Sequence, residues 1–220
     1  MRFSAFFKPT SLFSLKDSNS TNSGAKSLFL PSPYAVKMAI LNQAITAGNQ
    51  LELLSVKKSK EFEYISKTKI TFNIYGGFCV NNSFIKIQKA KREDVGFQST
   101  VSFREFIHIP NEIEIIFETE SEEAKQYLMK YIYKINYFGK RASFFQFLKY
   151  EDNPKKSNVK EFDAYNFSTG IIQQYDDFPV NATFEKVDNY NDKTIKREKK
   201  AYIIPVKSNN SSKSYSSYKI

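Results

Sequence analysis

The sequence Pro31-Ser32-Pro33 constrains the fold of this chain most, because it fixes where a helix begins. Ser32 can cap that helix with its side-chain oxygen, and Pro33 suits the first helical turn, where no amide hydrogen is needed. Apolar residues then recur at helical spacing, namely Ala35, Met38, Leu41, Ala44 and Ile45. Gly48 predicts the end of this first helix.

The start of such a helix is a potential phosphate site. Its first amides lack intrahelical partners and carry partial positive charge, and Lys26 and Lys37 lie nearby in the sequence. This pattern favours a nucleic acid partner. The alternative is a capped core helix whose start meets only water.

Composition is compatible with a folded, basic protein. The 220 residues are 41% hydrophobic, enough for a buried core, and the net charge of +10 favours polyanionic partners. Phe and Tyr supply all of the aromatic content, which is 16%. Aromatic residues mixed with Lys suit single-stranded RNA, since bases stack on rings while cations meet phosphates, although most Phe side chains are expected in the core.

Several classes of protein are disfavoured. Cys79 is the single cysteine, and no Cys or His cluster has metal-ligand spacing, so we expect a cytoplasmic protein without a cofactor or metal. The apolar run at residues 3–7 is too short for a signal peptide and is interpreted as a first strand. No stretch of about 18 apolar residues predicts a membrane span.

The order of elements predicts an α+β, ferredoxin-like core over residues 1–150. A second helix is expected to start at Ser121 and to end before Gly139, with Ala124, Leu128, Tyr131, Ile132 and Ile135 on its apolar face. Extended structure is expected at residues 57–75, 78–87, 101–109, 112–118 and 143–150. The cationic residues 89–96 predict the tip of a projecting hairpin or loop, a solvated charge run being the alternative.

The remaining third of the chain is expected to be an extension. Residues 151–206 predict a β-rich C-terminal extension, with strands at 182–187 and 201–206 around a charged loop. Residues 207–220 are rich in Ser, Asn, Lys and Tyr and predict a disordered basic tail.

Two segments carry a family resemblance. One is Phe29-Leu30-Pro31-Ser32-Pro33-Tyr34-Ala35-Val36-Lys37-Met38-Ala39, and the other is Tyr137-Phe138-Gly139-Lys140-Arg141. Together with residues 184–205 they resemble the Cas-five family of CRISPR-associated proteins, in the RAMP superfamily. The resemblance implies a ferredoxin-like (RRM-like) core with a β-hairpin thumb at about residues 84–108. It also implies a noncatalytic subunit of a type I Cascade complex, which caps the backbone and binds the 5′ handle of the CRISPR RNA (crRNA) in antiviral defence.

The same resemblance implies partners and candidate contacts. The partners are crRNA, the Cascade backbone and large subunits and, through the complex, target DNA. The candidate RNA-binding residues are Lys8, Lys26, Ser32, Tyr34, Lys37, Lys89, Lys91, Arg92, Gly139, Lys140 and Arg141. For residues 139–141 the alternative is a helix terminus with favourably placed cations.

A catalytic role is the alternative function, namely metal-independent endoribonuclease processing of precursor crRNA. Such cleavage needs a general base near the 2′-hydroxyl. His108 is the one histidine, and strand alternation puts it on the face opposite Ile107 and Ile109, as in many structural histidines. A Tyr and Lys pair could serve instead. A third possibility is an interaction scaffold that does not bind RNA.

Overall fold

The computed structural model describes residues 1–20, 24–92, 94–165, 169–187 and 197–220, with the backbone alone at residue 25. The strands are β1 (Arg2–Pro9), β2 (Leu15–Lys16), β3 (Gly24–Ala25), β4 (Ser27–Leu28), β5 (Lys69–Ile74), β6 (Gly77–Ala90), β7 (Phe97–His108), β8 (Ile113–Glu118), β9 (Phe145–Asp152), β10 (Lys160–Glu161), β11 (Gly170–Asp177), β12 (Glu198–Pro205), β13 (Ser208–Ser211) and β14 (Tyr215–Lys219). The helices are α1 (Pro33–Thr46), α2 (Leu51–Ser55), α3 (Lys60–Ser66), α4 (Glu122–Ile132) and α5 (Phe184–Val187). The expected mixture of strands and helices is confirmed, and strands predominate.

A four-stranded antiparallel sheet forms the centre of the residues up to 152. Its order is β5-β8-β1-β9, so the first strand lies between two strands from later in the chain. The β1 side chains anchor aromatic contacts: Phe3 stacks on Phe117 at 5.0 Å between centroids, and Phe7 meets Phe138 edge-on at 5.1 Å. Helix α1 connects β1 to β5 and helix α4 connects β8 to β9.

Both predicted helix starts are confirmed. Ser32 accepts a hydrogen bond from the Ala35 amide, and Ser121 accepts one from the Ala124 amide, each at 3.1 Å. The end of α1 is confirmed as well, since Ala47 is its last capping residue and Gly48 follows. A Cβ at Gly48 would lie 2.6 Å from both the Ala44 carbonyl oxygen and the Tyr131 ring of α4, so only glycine fits there.

The predicted apolar face of α1 is only partly correct. Leu41 and Ala44 are buried as expected, but Ala35, Met38 and Ile45 are half-buried. The deepest positions also include Val36 and Ile40. The reason is that α1 packs against α3, α4 and β11 at once, which buries a wider arc than one apolar stripe.

The expectation of extended structure at residues 57–75 is wrong for its first part, which forms α3. Ser59 caps α3 by accepting from the Phe62 amide at 3.0 Å, and Phe62 and Ile65 turn into the core at a spacing of three. Glu61 and Glu63 in the first turn favour a helix because they face the positive end of its dipole. The strand begins only at β5.

Strands β6 and β7 form the expected hairpin, paired from Cys79 and His108 at the base to Ala90 and Phe97 near the tip. The predicted disorder of residues 207–220 is incorrect, because β14 pairs with β6 and β13 pairs with β14. Tyr218 stacks on Phe78 at 4.9 Å, which gives this polar segment an aromatic anchor.

The C-terminal extension contains a three-stranded sheet in the order β10-β12-β11. The strand predicted at 201–206 corresponds to β12, whereas the strand predicted at 182–187 is wrong, since residues 184–187 form the short helix α5. The charged loop predicted between them lies partly outside the described residues. The boundary at residue 150 stays a prediction. None of the helices in the described ranges is long and apolar enough to cross a membrane.

Candidate nucleic-acid interface

A cavity of about 470 Å³ opens at the start of α1, and we call it the α1 cavity. Its walls come from β2, from α1, from the turn after α4 and from β11 with the residue that precedes β12. The polar residues that line it include Lys16, Ser18, Ser32, Asn42, Lys140, Gln174, Asp176 and Arg197. The two sequence segments around Ser32 and Gly139, far apart in the chain, therefore meet at one concave surface.

The start of α1 offers fewer amide donors than its sequence predicts. Pro33 has no amide hydrogen, and the Ala35 amide donates to the Ser32 side chain. Neither position can donate to a phosphate, so the predicted seat of helix amides needs correction. Cationic side chains of the α1 cavity have to supply most of the attraction for an anion.

Tyr34 lies behind the cavity wall and does not present a free ring face. Its ring meets Phe178 edge-on at 5.3 Å, and its hydroxyl donates to the Val187 carbonyl at 3.3 Å. The guanidinium of Arg197 covers the ring, with its central carbon 4.1 Å from the ring centroid. The outermost group of this stack is therefore Arg197.

The turn after α4 brings Gly139 and Lys140 into the cavity lining. Gly139 has φ of 69°, in the left-handed region, and a Cβ there would lie 3.1 Å from Leu15 Cδ2. The Lys140 carbonyl accepts from the Ser143 amide at 3.0 Å, which closes the turn. Partial burial, with the charge of Arg104 as a second cause, lowers the pKa of Lys140 below its ordinary value.

The charge of the α1 cavity is positive. Among its described lining residues the cations are Lys16, Lys140 and Arg197, and the one carboxylate is Asp176. Asp176 is buried and accepts from Ser18 at 3.1 Å and from Arg197 at 2.9 Å. Because that carboxylate is already engaged, the cavity can attract an anion such as a phosphate.

Lys37 lies inside the protein and does not line the cavity. Its Nζ is 2.7 Å from Asp177 Oδ1 and 3.0 Å from the Ser66 carbonyl oxygen, and the side chain is 4% exposed. Desolvation lowers the pKa of Lys37, and the Asp177 carboxylate opposes that shift. This buried ion pair ties α1 to β11 and α3, so Lys37 is unavailable to RNA.

The other predicted contacts are dispersed. Lys8, Lys26 and Arg141 are exposed and lie outside the lining of the α1 cavity. Lys89, Lys91 and Arg92 lie at the exposed tip of the β6–β7 hairpin, where Lys91 pairs with Asp94 at 3.2 Å. The structure thus brings together Ser32, Tyr34, Gly139 and Lys140, and it separates them from the remaining candidates.

Lys16 and Arg197 are cavity residues that sequence reasoning missed. Lys16 lies in a polar stretch interpreted as a surface loop, and Arg197 lies in a charged segment interpreted as a connection. Neither has a local pattern that distinguishes it from neighbouring lysines. Both join the site through contacts distant in sequence, such as the approach of Arg197 to Tyr34.

Groups suited to catalysis are not gathered in the α1 cavity. His108 is exposed at the base of β7, opposite Cys79, as the alternation with buried Ile107 and Ile109 predicts. It is not among the residues that line the cavity. Within the part of the chain that the structure describes, no group of three or more His, Cys, Asp or Glu residues is placed to hold a metal ion.

The chain was compared with known proteins. It is 25% identical over 208 residues to CRISPR-associated protein Cas5 of Archaeoglobus fulgidus, and the match covers 88% of each chain. The resemblance to the Cas5 family is confirmed. No family model matches the sequence.

Two solved structures are similar to this chain at low sequence identity. A chain of a CRISPR RNA-guided surveillance complex superposes with a TM-score of 0.48 at 12% identity, covering 93% of this chain and 90% of that chain. A CRISPR protein from Archaeoglobus fulgidus superposes with a TM-score of 0.42 at 11% identity, covering 100% of this chain and 91% of that one.

Proposed function

We propose that this chain is a Cas5 subunit of a type I CRISPR Cascade complex, which binds the 5′ handle of crRNA and caps the complex backbone in the cytoplasm. The observation that carries the proposal is the α1 cavity, where the two segments that resemble the family meet. The similarity to Cas5 of Archaeoglobus fulgidus along most of the chain supports the same role.

The core is proposed to be ferredoxin-like, of the RAMP type. The sheet order β5-β8-β1-β9 with two crossover helices supports this, because it places the four strands of a split βαβ pair in the expected neighbourhood. The β6–β7 hairpin is the proposed thumb. Its exposed tip cations, Lys89, Lys91 and Arg92, are placed to reach RNA or a neighbouring backbone subunit.

Phosphate binding in the α1 cavity is assigned to side chains. Lys16, Lys140 and Arg197 supply positive charge, and the Ser32 hydroxyl lies at the same opening. Cationic side chains of this kind supply most of the affinity for RNA and make it sensitive to salt, since binding releases condensed counterions. Lys37 is left out because its charge is used inside the protein.

The proposed role is noncatalytic. Cleavage of RNA without a metal needs a base and a cation at one phosphate, and His108 lies outside the cavity that gathers the cations. Purified protein incubated with repeat RNA in EDTA is expected to leave the RNA intact. Specific cleavage that disappears on substitution of His108 or of a cavity tyrosine would instead establish an endoribonuclease.

RNA binding is tested by titrating fluorescently labelled handle RNA at several salt concentrations. K140A/R141A is expected to weaken binding about tenfold or more. The slope of log affinity against log salt is expected to fall by about 0.7 for each phosphate that the variant no longer neutralises. The matched control is K155A/K156A, two adjacent exposed lysines beyond β9 that carry the same charge.

The comparison of the two variants decides the outcome. A larger loss of affinity and a flatter slope for K140A/R141A than for K155A/K156A support the proposed site. Equal losses would mean that net charge alone governs binding. Unchanged binding by K140A/R141A would remove the turn from the site.

A further inference from the structure

Arg197 is held in a fixed plane on the wall of the α1 cavity. Its guanidinium lies over the Tyr34 ring at 4.1 Å, and its Nη1 donates to Asp176 Oδ2 at 2.9 Å. Asp176 is itself fixed, since it is buried and also accepts from Ser18. A guanidinium with one face on a ring and one edge on a carboxylate has little freedom to rotate.

The supports of this arrangement are rigid as well. Tyr34 is 9% exposed, is wedged against Phe178 and is tethered through its hydroxyl to the Val187 carbonyl. The Arg197 side chain, in contrast, keeps 40% of its surface exposed and lines the cavity. One face of Arg197 is therefore occupied by Tyr34, and its exposed surface is directed to the space where a ligand would enter.

We propose that Arg197 is a stacking platform for one unpaired nucleobase of the bound RNA, with Tyr34 as the layer beneath it. The inference rests on the proposed function, because it assumes that the α1 cavity receives RNA. It adds a residue and a ligand group that the cationic turn does not explain: Lys140 attracts a phosphate, and Arg197 binds the flat face of a base.

The chemistry of the group favours a base over a phosphate at this position. The fork of an arginine binds a phosphate through its edge, and the Asp176 carboxylate already occupies part of that edge. Guanidinium planes stack on the unstacked bases of single-stranded RNA. The cavity volume of about 470 Å³ falls within the range of about 300–1,000 Å³ typical of small-ligand pockets, so one nucleotide is a suitable occupant.

The test combines RNA that lacks one base with a variant that lacks the plane. Handle RNAs carrying an abasic nucleotide at each position in turn are titrated against the wild type and against R197K. Lysine keeps the positive charge and can keep the pair with Asp176, but it has no planar face. R92K at the hairpin tip is the matched control, and thermal unfolding verifies that each variant is folded.

One abasic position is expected to weaken binding to the wild type about 5- to 100-fold, the range of a missing base stack. R197K is expected to weaken binding of intact RNA by a similar factor and to bind that abasic RNA with no further loss, whereas R92K behaves as wild type. The abasic series on wild-type protein needs no variant, so it tests the proposal even should R197K unfold.

Three results would overturn the inference. They are wild-type affinity in R197K, losses from R197K and the abasic position that multiply as independent effects, or an abasic series without any sensitive position. Handle binding that responds to K140A/R141A but not to R197K would leave the proposed function intact and reject the stacking platform alone. Wild-type protein that does not bind handle RNA at all would reject both.

Discussion

Lys140 shows how one side chain can be tuned by the fold that presents it. Burial and the nearby charge of Arg104 lower its pKa, so in the free protein its proton is held less firmly than in an ordinary lysine. A bound phosphate favours the protonated form and opposes this shift. Binding of RNA and protonation of Lys140 are therefore linked.

The expected result is a loss of RNA affinity as pH rises through the lowered pKa of Lys140. Below that pKa the lysine is charged in both the free and the bound protein, and affinity is constant. Above it binding must take up a proton, so affinity falls, by up to about tenfold for each unit by which phosphate raises the pKa. Titrations from about pH 7 to about pH 9.5 measure the effect, since an ordinary lysine keeps its charge over most of that range.

K140R is the control, because arginine stays charged at every pH in that range. Its affinity for handle RNA is expected to change less with pH than that of the wild type. Identical pH profiles for the two proteins would show that Lys140 does not contact phosphate.

Ser32 can be separated from its structural role because Ser121 provides a matched cap. Each serine accepts from the amide three residues ahead at 3.1 Å, and S32A and S121A are each expected to cost about 1 kcal/mol of unfolding free energy. Only Ser32 lines the α1 cavity. S32A is expected to weaken RNA binding about threefold to tenfold, the value of one hydrogen bond, while S121A leaves it unchanged.

Denaturant unfolding and RNA titration of both variants make this comparison. Equal RNA affinities for S32A and S121A would assign Ser32 to capping alone.

Residue patterns predict local chemistry better than they predict burial. The caps Ser32 and Ser121 follow from the residues beside them, and both are found. Lys37 looks like a surface cation in sequence, yet it is buried because Asp177 of β11 reaches it from far along the chain. Nothing local to either residue records that pair.

At the scale of elements, the final strand decides how the hairpin is anchored. Strand β14 pairs with the base of β6 from Gly77 to Asn81, and Tyr218 lies against both Phe78 and Phe29, at 4.9 Å and 5.8 Å between ring centroids. The polar composition of this segment predicts disorder, since one half-buried tyrosine contributes little to a compositional average. Pairing with an existing strand supplies the stability that composition lacks.

Y218A is expected to lower the free energy of unfolding by about 2 kcal/mol, because it removes a half-buried ring from an aromatic cluster. The control is Y215A on the same strand, whose side chain is exposed and is expected to contribute less than about 0.5 kcal/mol. Denaturant unfolding of both variants measures the difference. Equal and negligible losses would mean that β14 does not hold β6 in solution.

The same scale explains why α3 escapes a strand-based interpretation. Residues 57–75 alternate charged and apolar side chains enough to suggest a strand, but Ser59 with acids in the following turn is a helix start. Phe62 and Ile65 then fall on one helical face. Here the capping signal outweighs the alternation, and the strand is confined to β5.

At the scale of the whole molecule, two chain segments converge on one cavity. The order of strands and helices follows from local patterns, and so does the presence of cations after α4. The convergence of Ser32 with Lys140 and the placement of Arg197 over Tyr34 depend on packing between distant parts of the chain. A sequence pattern can suggest each part of this surface, but only the folded chain shows that the parts meet.

The central claim is that the α1 cavity holds the 5′ handle of crRNA inside a Cascade complex. The most direct measurement is an electron cryomicroscopy structure of the assembled complex with its crRNA. We expect ribonucleotide density in the cavity, with a phosphate within hydrogen-bonding distance of Lys140 and the Ser32 hydroxyl facing the RNA. A complex in which Ser32 and Lys140 face protein or solvent, with the handle bound elsewhere, would contradict the account.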